Sequence, residues 1–145
     1  MTTITDFLVP DHQRCDHLFA SAEDAAAQGD WGNATAEFIR FQEALLHHFA
    51  MEEEVMFPAF ESRTGMTQGP TAMMRLEHRQ MTDLVNQMVD SLSRKESNAY
   101  LGESDTLLIL MQQHNIKEEQ MLYRMADQVL ASELDELVES MRAMN

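Results

Sequence analysis

Apolar residues recur at steps of three and four along most of this chain, the periodicity of helices with one buried face. In the first stretch Leu8, Cys15, Phe19 and Ala22 form the stripe, in a helix expected to start near Asp6, tolerate Pro10 in its opening turn and end at Gly29. After the linker QGDWGN the second stripe is Phe38, Phe41, Leu45 and Val55, in a helix from about Ala34 that Pro58 should kink or end. The glycines and proline of SRTGMTQGP separate it from a third helix, residues 71–92, with Met74, Met81, Val85, Met88 and Leu92 inward. The loop RKESN leads to a fourth, with a break expected near Gly102 and a stripe of Leu107, Leu110, Met111, Met121 and Met125. Ser132 reads as the N-cap of a short fifth helix through Met144, with Glu133 and Asp135 in its first turn. The pattern predicts an all-α fold of one domain over residues 1–145: an antiparallel up-down-up-down four-helix bundle with a short C-terminal fifth helix. Beyond a loose likeness between the second and fourth helices, no internal repeat stands out.

Polar residues interrupt these stripes in an ordered way. His12, His48, His78 and His114 fall once per long helix, each on the core side, while His17 and His47 point toward water. Glu52 and Glu118 follow His48 and His114 by four residues and share their inward face. With 15 glutamates in 145 residues, a single His-x-x-x-Glu is weak evidence. Burial gives the pattern its weight, because uncompensated carboxylates inside an apolar bundle cost several kcal/mol each. Cations between the side chains would remove that cost.

Composition narrows the partners. Lys and Arg total 10 against 25 Asp and Glu, a formal charge of −15. Such a surface repels nucleic acid and anionic lipid. The N-terminus has no signal-peptide pattern, the longest aliphatic run (Leu107 to Met111) cannot span a bilayer, and Cys15 is the lone cysteine, so a cytoplasmic protein is expected. A donor set of four imidazoles and two carboxylates without thiolates suits iron or manganese better than structural zinc. In such a cage each metal takes two histidines while Glu52 and Glu118 bridge. Cys15, one turn from His12, reads as a small buried hydrophobe, with a redox thiol as the alternative. Tyr123 and Trp31 read as packing residues, and Glu53 and Glu119 as second-choice ligands.

The blocks DHQRCDHLF, HFAMEEEVMFP, EHRQMTD and HNIKEEQMLYRMAD, in this order, resemble the hemerythrin-like, or HHE cation-binding, domain over nearly the whole chain. The resemblance implies an up-down bundle around two non-haem iron ions, manganese or a mixed pair being the alternative, with His12, His48, Glu52, His78, His114 and Glu118 as ligands. Oxygen-carrying hemerythrins have HxxxH on the third helix, whereas here Thr82 stands four residues after His78. The pattern therefore looks closer to bacterial members with four histidines and two carboxylates. The expected function is to bind or react with O2, NO or peroxide in sensing or stress protection, with the protein partner unknown. Alternatives are a diiron enzyme of peroxide or nitric oxide turnover, an iron donor for repair of iron centres, and a metal-free helical interaction module.

Overall fold

The computed structural model describes residues 2–145, which are all-helical, with no strand among them. Helix α1 spans Ile4–Ala27, α2 Trp31–Met51, α3 Phe57–Thr64, α4 Pro70–Ser93, α5 Ser97–Lys117, α6 Tyr123–Val129 and α7 Leu134–Arg142. Helices α2 and α3 join without a loop through a π-helical turn over Glu52–Met56, and α5 joins α6 through another over Glu118–Leu122. The predicted four long helices and short fifth are thus present. Helix α1 packs on α2 and α5, and α4 on the same two, closing the bundle. None of the described helices is long and apolar enough to cross a membrane.

Local chemistry explains where the helices begin and end. Thr3 caps α1, accepting from the Asp6 amide while Asp6 reaches back to the Thr3 amide. The helix therefore starts two residues earlier than expected and Pro10 lies in its second turn. Asp30 caps α2 through the Asn33 amide, so that helix absorbs Trp31, which packs partly buried on the core. Gly65, at φ 74°, ends α3 in the left-handed conformation. The expected break at Gly102 is absent: α5 runs through it, since a lone helical glycine costs only about 1 kcal/mol relative to alanine. The last helix opens after Glu133, one residue later than expected, and without a side-chain cap from Ser132.

Pro58 neither kinks nor ends its helix. In a π turn the ladder changes from i→i+4 to i→i+5, as when the Phe57 amide bonds to the Glu52 carbonyl, and one residue drops out. A proline, lacking an amide, fits directly after it. The inserted residue also turns the apolar stripe. Val55 is only partly buried and Met121 is 62% exposed, while Met56, Phe57, Leu122 and Tyr123 are buried in their place.

Two apolar clusters result. One, built around Phe19, Phe38, Phe41, Met88, Tyr100 and Leu107, fills the bundle toward the α1–α2 turn. The other, around Leu8, Phe57, Phe60, Tyr123, Leu130 and Val138, fills the end covered by α7. Asp127 joins this end to the start of α1 by accepting from the Ile4 amide at 2.7 Å and the Thr5 hydroxyl at 2.6 Å. His47, expected to face water, is half-buried and donates to the Met144 carbonyl at 3.2 Å. Between the clusters lies a layer of buried histidine and glutamate.

Candidate metal centre

The structure brings all six sequence-predicted residues into that layer. His12 comes from α1, His48 from α2, His78 from α4 and His114 from α5, while Glu52 and Glu118 open the two π turns; none is more than 4% exposed. Their ligand atoms form two groups, His12, His48, Glu52 and Glu118 in one and His78, His114, Glu52 and Glu118 in the other. Within each group the atoms lie within 4.8 Å of one another, and both carboxylates belong to both groups. The arrangement is that of two adjoining groups of potential ligand atoms sharing a pair of carboxylates.

The polar atoms here satisfy one another only in part: His12 Nε2 and Glu118 Oε1 are hydrogen-bonded at 3.0 Å, while others are left over. Glu52 Oε1, Glu118 Oε2 and Nε2 of both His78 and His114 are buried without a hydrogen-bond partner. His78 Nε2 is 3.1 Å from Glu52 Oε1 and His114 Nε2 is 3.2 Å from Glu118 Oε1, close enough for ion pairing yet outside hydrogen-bonding geometry. Ligand atoms converging on a common space are what a metal cation needs, and orphaned buried groups are rare otherwise. The donor set fits the cation that the sequence implies.

The outward nitrogens are anchored in a closed circuit. Asp11 on α1 accepts from Nδ1 of His48 on α2 at 2.8 Å, and Glu53, next to Glu52, accepts from Nδ1 of His78 on α4 at 2.7 Å. Glu77 on α4 holds Nδ1 of His114 on α5 at 2.7 Å, and Glu119, next to Glu118, holds Nδ1 of His12 on α1 at 2.7 Å. Each helix grips the histidine of the next. An Nδ1–H donated outward leaves Nε2 as the inward lone pair, the tautomer a metal ligand requires. Glu53 and Glu119 therefore act as anchors here, and the sequence offers no sign of that role. Arg14 further ties Asp11 at 2.9 Å, and Lys117 pairs with Glu77, whereas Glu53 and Glu119 remain over a third exposed without such a cation.

Without a cation, the buried charges adjust through protons. Burial alone would depress the His48 imidazole, but the charge of Glu52 and the hydrogen bond to Asp11 outweigh it and raise it to about 10. His114 rises to about 9, burial opposing and Glu118 prevailing. Glu52 is held well below the usual carboxylate range, His48 overcoming its burial. Imidazolium protons thus stand where metal charge would.

Tyr123, read from sequence as packing, lies at the centre. Its hydroxyl donates to Glu52 Oε2 at 2.7 Å and is 3.1 Å from Glu118 Oε1, 3.1 Å from His12 Nε2 and 3.3 Å from His48 Nε2. Burial, with the charges of Glu118 and Glu52, pushes its phenol well above the ordinary range, so it holds its proton. The π turn after Glu118 swings it inward, and nothing in the spacing signals that. Thr82 does not substitute for a ligand: its hydroxyl donates to the His78 carbonyl of its own helix at 2.7 Å. Cys15 is buried, and its thiol is raised to about 12 by burial and by the charge of Asp11. It lines a small cavity of about 10 Å³ with His12, His48, His114, Phe49 and Met111, space for one molecule the size of water.

The two halves of the centre are spaced alike in the chain. His12 and His78, His48 and His114, and Glu52 and Glu118 are each 66 residues apart, and so are the anchors Asp11 and Glu77, and Glu53 and Glu119. This internal repeat is not apparent in the sequence until the functional positions are known.

Comparison with protein families finds a match over residues 3–144 to the model described as the hemerythrin HHE cation binding domain. No curated protein and no solved structure gave a significant match.

Proposed function

The chain belongs to the hemerythrin HHE cation-binding family, and from that premise we propose that it is a non-haem diiron protein that binds or reacts with O2, NO or peroxide in oxygen or redox sensing or stress protection. The observation that carries this reading is the pair of ligand groups sharing both Glu52 and Glu118. A single-ion protein would not need the second pair of histidines, and an interaction module would not leave four buried polar atoms unpartnered.

Four imidazoles and two carboxylates would hold the ions, a hard and borderline donor set suited to iron. When bound, such a pair supplies one-electron steps at two adjacent centres and positions open to a small ligand. The protein supplies the rest. Phe49, Met81 and Met111 give the layer an apolar wall beside His12, His48 and His114, with room for about one molecule the size of water. Tyr123 sets its hydroxyl oxygen between both carboxylates, at the heart of the centre. The four anchoring carboxylates fix the imidazoles without using inward lone pairs.

The test is the metal content and optical spectrum of freshly purified protein. About two irons per chain and diferric absorption that changes on exposure to NO or peroxide are expected. Iron-free protein from iron-replete cells overturns the proposal. Steady-state consumption of peroxide or nitric oxide by the loaded protein separates an enzyme from a binding protein.

A further inference from the structure

The 66-residue offset that relates the halves of the centre also relates Phe57 to Tyr123. Each is fully buried, and each is the first residue after a π turn. The Tyr123 ring lies against His12 with centroids 5.6 Å apart and planes 22° from parallel; the Phe57 ring lies against His78 at 5.7 Å and 20°. The two rings thus occupy equivalent places and differ by one hydroxyl.

That hydroxyl reaches every member of one ligand group, His12, His48, Glu52 and Glu118, at 2.7 to 3.3 Å. A phenol has one proton to donate, which goes to Glu52 Oε2 at 2.7 Å, while His12 Nε2 and Glu118 Oε1 meet each other at 3.0 Å. In the other half, where Phe57 brings no oxygen, Nε2 of both His78 and His114 has no partner. The centre is symmetric in its histidines and carboxylates and asymmetric at this atom.

We propose that Tyr123 Oη is a further ligand, serving only the cation held by His12 and His48, and that the His78/His114 half keeps the position at which a small exogenous ligand binds. The inference rests on the two-ion reading above. On loading, the O–H bond breaks, its proton leaves to solvent, and the phenolate oxygen donates a lone pair to the cation without electron transfer. Thr82, its hydroxyl turned back on its own helix, leaves the second half without an equivalent donor.

Wild type, Tyr123→Phe and Phe57→Tyr would be loaded with iron(II), oxidised in air, assayed for iron and compared by visible absorption and resonance Raman. Wild type should show phenolate-to-iron(III) charge transfer with enhanced tyrosine ring modes. Tyr123→Phe should lose both, and Phe57→Tyr should roughly double the absorption by supplying one phenolate to each ion. Azide, as the exogenous probe, should bind wild type and Tyr123→Phe but bind Phe57→Tyr at least about tenfold more weakly. Two bound irons in wild type without tyrosine modes overturn the ligand assignment, whether or not the variants fold. Unweakened azide binding to Phe57→Tyr loaded with two irons overturns the assignment of the open half. Absence of iron from wild type instead overturns the two-ion reading itself, an outcome the metal assay identifies separately.

Discussion

Asp11 Oδ2 lies 2.8 Å from Nδ1 of His48, and the other oxygen of the same carboxylate accepts two hydrogen bonds from Arg14. Asp11 therefore orients a ligand it never replaces. Asp11→Asn keeps the shape and removes the charge; metal affinity should fall about 10-fold or more, as for other outer partners of ligating histidines. Competition with a chelator measures this. Glu77→Gln, the equivalent change beneath His114, should act on the other half, and combining the two should weaken both.

Glu52 and the histidines differ in how many ligand groups each joins. Glu52 belongs to both ligand groups, His114 to one. Glu52→Ala should lower bound iron from about two per chain to nearly none, while His114→Ala should leave about one. Metal analysis after gel filtration distinguishes these outcomes. Replacing His48 and Glu52 together by leucine should abolish loading and stabilise the metal-free bundle by about 1–4 kcal/mol, because a buried ion pair gives way to apolar packing.

The protons on His48 and His114 give a pH dependence with a definite sign. Both groups are raised in the folded metal-free protein, to about 10 and about 9. Their contribution to stability is complete below the ordinary imidazole value near 6.5 and is lost as pH climbs through 9 to 10. Metal-free protein should therefore melt at progressively lower temperature above pH 7, and the loaded protein much less so. Loading at pH 7 should release protons from both histidines, measurable with a pH indicator, and should become more favourable as pH rises.

Cys15 should behave as an inert core residue. It is 3% exposed and its thiol is raised to about 12, so its thiolate is scarce at neutral pH. Iodoacetamide at pH 8 should leave folded protein unmodified and label it fully in denaturant. Rapid labelling of the native protein would restore the redox-thiol alternative.

The legible part of this molecule is the part that follows a regular helix. Stripes of period 3.6 place the four histidines and both glutamates correctly, because His12 and His78 lie in helices without a π turn and the other four lie before one or at its first residue. Beyond Glu52 and Glu118 one added residue turns the chain, and there the periodicity misleads: it puts Val55 and Met121 inside, where Met56, Phe57, Leu122 and Tyr123 are buried. Pro58 is the single local hint, ambiguous because a proline also ends helices. No proline marks the second turn, so Tyr123 passes for packing. The anchors are hidden for a different reason: Asp11, Glu53, Glu77 and Glu119 are ordinary surface acids by pattern, and only the packing of neighbouring helices decides which acid meets which histidine.

The circuit of anchors also fixes how far each helix can slide. Every long helix offers one carboxylate to its successor and receives one for its own histidine. A shift of one residue, about 1.5 Å along the axis, would break a link on each side at once. Apolar stripes rich in methionine tolerate such slippage, since flexible thioethers repack. The carboxylate–histidine circuit does not, and so the polar layer serves as the vernier that sets the alignment of an otherwise forgiving core.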